Sequence, residues 1–242
     1  GALEAARAAR ATGARFVLIS SDKAAEPRSV MGATKRFAEY LVLGEASETF
    51  RPLVVRFGNI LGSSGSVAEI MLRRAGAGLS LPVTDPDATR YFMTASEAVS
   101  LVLKTDLVGG SPGIFWLDMG DPIRIGDLAR RIAAHVRSTG GPAVGIETIG
   151  LRPGEKLHEE LTSQGLSMRR TAHARIFSAR QRPIPSALVG KALRTARRAC
   201  AAANPTAALD ALTQLVSDYT PSEAAMAEAA KWHNRESAES AA

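Results

Sequence analysis

The stretch from residue 16 to residue 35, FVLISSDKAAEPRSVMGATK, constrains the fold more than any other part of the chain. It opens on the apolar, β-branched run FVLI, which is short and continuous enough to be a buried strand of a parallel sheet. The polar tetrapeptide SSDK follows at once, so hydroxyl, carboxyl and amine groups come at the carboxyl end of that strand. Open α/β sheets bind their ligands at this end of their strands. The stretch therefore predicts both a strand and a site.

A second apolar strand is predicted at residues 53–57, LVVRF, after a helix that spans about residues 30–48. Met31 and Lys35 lie one turn apart on that helix and share a face. Two strands joined through a helix within one sheet are almost always parallel, with a right-handed crossover. We therefore expect the two strands to be neighbours and the helix to pack across them.

Further elements are predicted along the rest of the chain from apolar periodicity and capping residues. The motif LRPGEKLHEEL, residues 151–161, is predicted to begin in a turn and to enter a helix. The other predicted helices cover about 67–77, 97–106 after a Ser96 cap, 125–138, 186–203, 206–219 and 221–236, and the other strands 113–120, 144–149 and 175–179.

Composition limits the classes of function. The chain has 242 residues and a net charge of +6, which favours an anionic ligand, but its basic residues are dispersed and its aromatic residues few. This is not the pattern of a nucleic-acid binder. Cys200 is the single cysteine, and the four histidines lack metal-ligand spacing, so we expect neither a disulfide nor a metal site. No apolar run approaches the length of a membrane span, so we expect no membrane contact by this segment itself.

The segment GNILGSSGSV, residues 58–67, allows two interpretations. A strand, three glycines, a helix and then Asp85 imitate a dinucleotide-binding fingerprint. The glycine spacing is G-x3-G-x2-G, however, instead of the G-x-G-x2-G of that fingerprint. We favour a substrate-side loop. Simple turn glycines with a capping serine explain the segment nearly as well.

The motif SSDK, followed by a helix that carries Met31 and Lys35, resembles the catalytic segment of extended short-chain dehydrogenases/reductases. The motifs RFGNILGSSGSV, TRYFMT, DMGDP and LRPGEKLHEEL come in the order and spacing of nucleotide-sugar 4,6-dehydratases of bacterial polysaccharide biosynthesis. The resemblance is to the membrane-anchored type that acts on UDP-N-acetylglucosamine. Most relatives have tyrosine at the position of Met31, and this branch has methionine there.

This resemblance implies an α/β fold, namely the C-terminal part of a Rossmann-like doubly wound parallel sheet with a small α/β substrate-binding region. Residues 1–183 would form a truncated catalytic domain without the cofactor-binding N-terminal half, and residues 184–242 a helical C-terminal extension. The first residues read as the end of an Ala-rich helix, with no earlier βαβ unit. We therefore expect the chain to be a fragment of a longer enzyme.

The implied reaction converts UDP-N-acetylglucosamine into a UDP-4-keto-6-deoxy sugar, with NAD, in preference to NADP, taking hydride from C4 and returning it to C6. Asp22 is then the acid at the departing C6 hydroxyl and Lys23 the base at C5, although the two roles could be shared or reversed. The hydroxyl of Ser21 would bind the C4 oxygen, and Lys35 the nicotinamide ribose. Met31 cannot ionise, so Asp22 or a water must deprotonate the C4 hydroxyl.

The same resemblance assigns binding roles. Ser20, Lys35, Phe57 and Gly58 are predicted to bind the cofactor. The predicted substrate ligands are Asn59, for phosphate or sugar, Arg90 and Arg152, for the diphosphate, and Glu155, for the uridine ribose. Surface ion pairing is the plainer interpretation of Arg90 and Glu155.

Two alternatives stay open, a UDP-sugar 4-epimerase and a non-catalytic module that binds a UDP-sugar or a partner protein. An epimerase needs no acid at C6, so the adjacent acid and amine of SSDK favour dehydration. We also expect a homo-oligomer with a cytoplasmic location, because full-length relatives are anchored at the inner membrane with the catalytic domain on its cytoplasmic side.

Overall fold

The computed structural model describes residues 1–162, 168–179 and 184–239. Its main feature is a five-stranded mixed sheet in the order β1-β2-β7-β11-β10. The strands of this sheet are β1 (Val17–Ile19), β2 (Leu53–Arg56), β7 (Gly113–Leu117), β10 (Met168–Arg170) and β11 (Ile176–Ala179). The eight helices of the described residues are α1 (Ala2–Thr12), α2 (Val30–Leu43), α3 (Val67–Gly76), α4 (Ala95–Val108), α5 (Ile125–Ser138), α6 (Ser186–Ala201), α7 (Pro205–Leu215) and α8 (Glu223–Glu239).

Strands β1, β2 and β7 are parallel, and α2 connects the first two. Val17 pairs with Leu53 and Ile19 with Val55, so the carboxyl ends of both strands lie at the same edge. The predicted pairing and the α/β class are confirmed. The sheet is parallel only in part, because β11 and β10 add antiparallel strands beyond β7.

Helices cover both faces of the sheet. On one face α1 and α2 pack against β1 and β2, where Val42 and Val54 are fully buried. On the other face Leu101 of α4 packs with Val55 and Phe115. The strands are buried on both sides, which is why they read as continuous apolar runs without alternation.

A smaller α/β region follows the carboxyl end of β2. It contains α3 and α5 and six short strands that pair as β3 with β6, β4 with β9 and β5 with β8. These strands are β3 (Asn59–Leu61), β4 (Leu81–Val83), β5 (Thr89–Arg90), β6 (Phe92–Thr94), β8 (Ile123–Arg124) and β9 (Ile146–Thr148). Met71 of α3, Leu81 of β4 and Ile132 of α5 share its core. The region therefore lies beside the end of the sheet where ligands are expected.

Helix α7 packs on α2, and α6 and α8 pack on α7. Phe37 and Tyr40 of α2 share a core with Val189, Leu212 and Tyr219. The predicted domain boundary at residue 183 lies outside the described residues. Within the part of the chain that the structure describes, no helix combines the length and the hydropathy needed to cross a membrane.

Three of the differences between the predicted and the observed elements have a clear physical reason. The helix α2 ends at Leu43, five residues before the prediction, and Glu45 beyond it accepts hydrogen bonds from Arg7 and Arg10 of α1. Thr94, and not Ser96, caps α4, because Thr94 and Glu97 form a reciprocal capping box.

The third difference concerns residues 151–161, which form a turn and an extended segment where a helix was predicted. His158 forms a parallel bridge with Thr89, and the Leu157 carbonyl accepts a hydrogen bond from the Thr89 amide. These contacts hold the segment extended against its local helix propensity. They join it to β5, which is about 70 residues away in the chain.

Candidate active site

The polar segment after β1 is fixed to the end of β2 by backbone hydrogen bonds. The Ser20 amide donates to the Val55 carbonyl at 2.8 Å, and the Asp22 amide donates to the Phe57 carbonyl at 3.1 Å. Residues Asp22–Ala24 then form one short 3₁₀ turn. The strand pairing therefore continues past β1 and places these side chains at the sheet edge.

Asp22 and Lys23 form a close pair. The Lys23 Nζ atom donates to Asp22 Oδ1 at 3.1 Å and to Asn59 Oδ1 at 3.2 Å. Asp22 Oδ1 also accepts hydrogen bonds from the Ser21 hydroxyl at 2.8 Å and from the Lys23 amide at 2.9 Å. The Asp22 side chain is fully buried, and its Oδ2 atom has no hydrogen-bond partner in the described residues. A buried carboxylate oxygen without a partner is unusual in folded proteins.

Gly58 allows this arrangement. A Cβ atom at position 58 would lie 2.9 Å from the Tyr91 carbonyl oxygen and 3.3 Å from Asp22 Oδ2. The close approach of backbone and carboxylate at this position therefore requires glycine.

Replacing Gly58 with alanine is expected to destabilise the chain by about 1–3 kcal/mol, because the added methyl group overpacks the contact with Tyr91 and Asp22. The matched control is Gly76→Ala in α3, where a Cβ atom would meet nothing within 4 Å and alanine favours the helix. Urea unfolding followed by circular dichroism measures both changes. Equal stability of the two variants would contradict this packing.

A cavity of about 560 Å³ opens beside the Lys23 amine, within the size range of small-molecule sites. The structure brings six of the predicted site residues to its wall: Lys23, Met31, Asn59, Arg90, Arg152 and Glu155. The other predicted residues do not line it. Asp22 lies buried behind Lys23, so Lys23 is the member of the pair that faces the cavity.

Lys35 lies one turn beyond Met31 on α2 and is exposed. Phe57 is half-buried and packs into the core beneath α4. Their cofactor roles stay predictions.

Ser20 belongs to a buried ionic group beneath the site. Its hydroxyl donates to Glu39 Oε1 at 2.5 Å, and Arg56 donates to the same carboxylate at 2.8 Å from Nε and 2.5 Å from Nη2. The side chains of Glu39 and Arg56 are both fully buried. Sequence reasoning missed this pair, although an arginine inside the apolar strand LVVR signals a buried acidic partner.

The outer wall of the cavity is built around Arg90, whose side chain is 8% exposed. Its Nη1 atom donates to the carbonyls of Thr89 and Leu157, and its Nη2 atom donates to Glu155 Oε1 at 2.8 Å. Its Nε atom lies 3.8 Å from Glu159 Oε1. Arg90 therefore contacts two glutamates, and both of its Nη atoms already donate to protein oxygens.

Glu155 has protein partners on both carboxylate oxygens. Thr84 donates to Oε1 at 3.0 Å, beside the bond from Arg90, and the Arg152 amide donates to Oε2 at 3.2 Å. Arg152 itself is exposed on the cavity wall, with its side chain available to an anionic ligand.

The RPGEK turn is attached directly to the loop before α2. A Cβ atom on Gly154 would lie 2.6 Å from the Arg28 carbonyl oxygen, and the Lys156 Nζ atom donates to the Ala25 carbonyl at 3.0 Å. The loop before α2 and the outer wall of the cavity are thus in contact with each other.

Glu159 is the site residue that sequence reasoning missed. Its carboxyl group is buried on the cavity wall, and Oε2 has no hydrogen-bond partner among the described residues. Burial raises the pKa of Glu159, as does the Asp22 carboxylate, while the charges of Lys23, Arg90 and Lys156 oppose the rise. A local pattern could not reveal it, because only the long-range contact with Arg90 draws it inward.

The glycine-rich segment favours the substrate-side interpretation. The Gly65 amide donates to Glu69 Oε2 at 2.5 Å, and Ser66 caps α3. A carboxylate therefore already occupies the helix N-terminus where a pyrophosphate would bind. Gly65 and Val67 line the same cavity as Lys23. Among the described residues no cluster of three His, Cys, Asp or Glu side chains could hold a metal ion.

Fold and site together define a Rossmann-like α/β protein with a polar cavity at the carboxyl ends of parallel strands. The chain belongs to the family described as polysaccharide biosynthesis protein, which matches residues 1–181. The predicted resemblance to an extended short-chain dehydrogenase/reductase of polysaccharide biosynthesis is thereby confirmed.

Three curated relatives illustrate this similarity. The chain is 49% identical over 151 residues to EpsC of Bacillus subtilis, a probable polysaccharide biosynthesis protein, and 46% identical over 154 residues to the capsular polysaccharide biosynthesis protein CapD of Staphylococcus aureus. Each match covers 62% of this chain and 25% of the relative, so the chain spans about a quarter of their length. A UDP-glucose 4-epimerase of Rickettsia canadensis is 33% identical over 155 residues, covering 62% of this chain and 44% of that protein.

Among solved structures, Pen from Bacillus thuringiensis matches with a TM-score of 0.65 and 27% identity, covering 80% of this chain and 66% of that one. The NAD-dependent NDP-hexosamine 5,6-dehydratase TunA matches with a TM-score of 0.55 and 19% identity, over 67% of this chain and 59% of TunA. The second likeness supports the fold alone.

Proposed function

We propose that the full-length protein is an NAD-dependent nucleotide-sugar 4,6-dehydratase that converts UDP-N-acetylglucosamine into a UDP-4-keto-6-deoxy sugar for polysaccharide biosynthesis. The observation that carries the proposal is the Lys23 amine on the cavity wall, hydrogen-bonded to Asp22 and Asn59. Dehydration requires a base and an acid on adjacent carbons of one sugar, and adjacent amine and carboxyl groups meet that requirement.

Elimination follows oxidation at C4, in which the hydride would go to NAD and the hydroxyl proton to Asp22 or a water. The resulting ketone makes the C5 proton acidic. Lys23, in its neutral form, takes the C5 proton, and the electron pair forms the C5–C6 double bond as the C6–O bond breaks. The proton for the departing oxygen comes from the Asp22–Lys23 pair through the Lys23 amine, which is the group that faces the cavity, and the oxygen leaves as water. The Ser21 hydroxyl, 2.8 Å from Asp22 Oδ1, can orient that carboxyl group.

The residues of this chain fit the nicotinamide end of NAD. The Lys35 ammonium is exposed, and no hydrogen bond engages it in the part of the chain that the structure describes, so it is available to the ribose hydroxyls. NAD, when bound, supplies the oxidation at C4 and the reduction at C6. Met31 adds an apolar surface on the same face of α2 and is 51% exposed at the cavity.

The UDP portion would lie along the outer wall. Arg152 presents a guanidinium fork, which suits two phosphate oxygens. Glu155 can accept hydrogen bonds from the ribose hydroxyls through the remaining lone pairs of its carboxylate. This orientation places the hexose against Lys23.

The test is conversion of UDP-N-acetylglucosamine by the full-length protein in D₂O. A dehydratase exchanges the C5 proton with solvent, so we expect a product that has lost water and carries deuterium at C5. The matched control is unlabelled water with the same protein. A product of unchanged mass without deuterium would overturn the proposal.

The second candidate is a UDP-sugar 4-epimerase, which the Rickettsia relatives favour at 31–33% identity. An epimerase would give a product of unchanged mass in which the configuration at C4 is inverted. The same experiment therefore decides between the two reactions.

A further inference from the structure

Glu159 carries a carboxyl group that the proposed mechanism does not use. Its side chain is 5% exposed and lies on the cavity wall. Oε1 faces Arg90 Nε at 3.8 Å, whereas Oε2 has no hydrogen-bond partner in the described residues. Burial of a carboxylate oxygen without a partner costs free energy, so this atom calls for a ligand that donates a hydrogen bond.

Arg90 does not need Glu159 for its own pairing. Its guanidinium already donates to Glu155 and to the carbonyls of Thr89 and Leu157. A second buried carboxylate beside a paired arginine is therefore not explained by charge balance alone.

The position of Glu159 separates it from Glu155. Both oxygens of Glu155 accept hydrogen bonds from the protein, at the end of the cavity that carries Arg152. The groups whose charges act on Glu159 are Lys23, Asp22, Arg90 and Lys156, and Lys23 has the largest effect of these. Glu159 and Lys23 line the same cavity, where the hexose would lie, and a negative carboxylate would repel a diphosphate.

We propose that Glu159 is a sugar-binding residue whose Oε2 atom accepts a hydrogen bond from a hydroxyl or amide N–H group of the bound hexose. The identity of the ligand as a UDP-hexose rests on the proposed function. Glu159 and Glu155, both held by Arg90, then contact the two ends of one nucleotide sugar. Because the acceptor is buried and its ligand group is on the hexose, it discriminates between UDP-hexose and UDP alone.

The experiment measures binding of UDP-N-acetylglucosamine and of UDP to the full-length protein by calorimetry. Glu159→Met removes the acceptor at similar volume, and we expect UDP-N-acetylglucosamine to bind about tenfold more weakly or worse, as for a lost hydrogen bond to a charged group. UDP binding should change less than about twofold. Glu159→Gln keeps one acceptor oxygen, so its affinity for UDP-N-acetylglucosamine should lie between those of the wild type and Glu159→Met. The control is Glu160→Gln at the exposed neighbouring position, which should leave both affinities unchanged.

An equal loss of affinity for both ligands would show that Glu159 only supports Arg90 and Glu155, and would overturn the inference. Unchanged affinity for the UDP-hexose would overturn it as well. If Glu159→Met does not fold, the wild-type protein decides, because binding of the UDP-hexose near the raised pKa of Glu159 should release more protons than binding of UDP. Equal proton release would again contradict it. Failure of the proposed reaction is seen separately, in the product formed by the wild-type protein.

Discussion

Replacing Asp22 with asparagine in the full-length protein is expected to lower kcat by about 100-fold or more, the usual scale for a lost general acid. Asparagine keeps an oxygen for the hydrogen bonds from Ser21 and Lys23, but it cannot deliver a proton. The measurement is steady-state conversion of UDP-N-acetylglucosamine.

Asp210→Asn is the matched control, since it makes the same chemical change at an exposed position of α7. That variant should retain wild-type kcat, and thermal unfolding should show that both variants fold. An Asp22→Asn enzyme within a few-fold of wild type would remove Asp22 from the mechanism and leave Lys23 to act alone.

Replacing Arg56 with methionine is expected to destabilise the chain by about 3–5 kcal/mol, because the buried Glu39 carboxylate then loses its hydrogen-bonded charged partner and keeps Arg36, at 3.9 Å. The effect should also reach the site, since Ser20 donates to the same carboxylate. Urea unfolding gives the change in the free energy of unfolding.

The exposed ion pair of Arg197 with Glu4, at 2.8 Å, provides the comparison. Arg197→Met should cost no more than about 1 kcal/mol, because exposed pairs contribute little. Combining Arg56→Met with Glu39→Leu should recover part of the lost free energy of unfolding, since the double change also removes the buried Glu39 carboxylate. If Arg56→Met and Arg197→Met lowered the free energy of unfolding equally, burial would not be the reason for the larger effect expected at Arg56.

Local patterns predicted the centre of the fold well. The runs FVLI and LVVRF and the helix between them were sufficient to predict β1, β2 and α2, because a parallel sheet buries both faces of its strands. The helix α5 was predicted with its observed bounds, 125–138, from its strong amphipathic period. The short strands β3 and β4 were not predicted, since each pairs with a strand far away in the sequence. Strand β10 was not predicted because its exposed sequence MRR has no strand pattern, although it pairs with the next strand, β11.

The site residues also divide into those that local sequence patterns predict and those that they do not. Asp22 and Lys23 were identifiable because a polar segment directly follows an apolar strand. Glu159 was not, because LRPGEKLHEEL reads locally as a helix with exposed charges, and only Arg90 and Thr89 reveal its extended form. The ion pair of Glu39 with Arg56 joins two elements whose separate patterns say nothing about distance.

The attachment of the RPGEK turn to the loop before α2 has a consequence for protein engineering. Gly154 leaves no room for a side chain against Arg28, and Lys156 donates a hydrogen bond to the Ala25 carbonyl. A longer turn would therefore displace the loop before α2. A change of nucleotide preference would therefore have to come from exchanging side chains such as Arg152 on an unaltered backbone. Loop grafting, the common route to new specificity in α/β enzymes, is closed at this position.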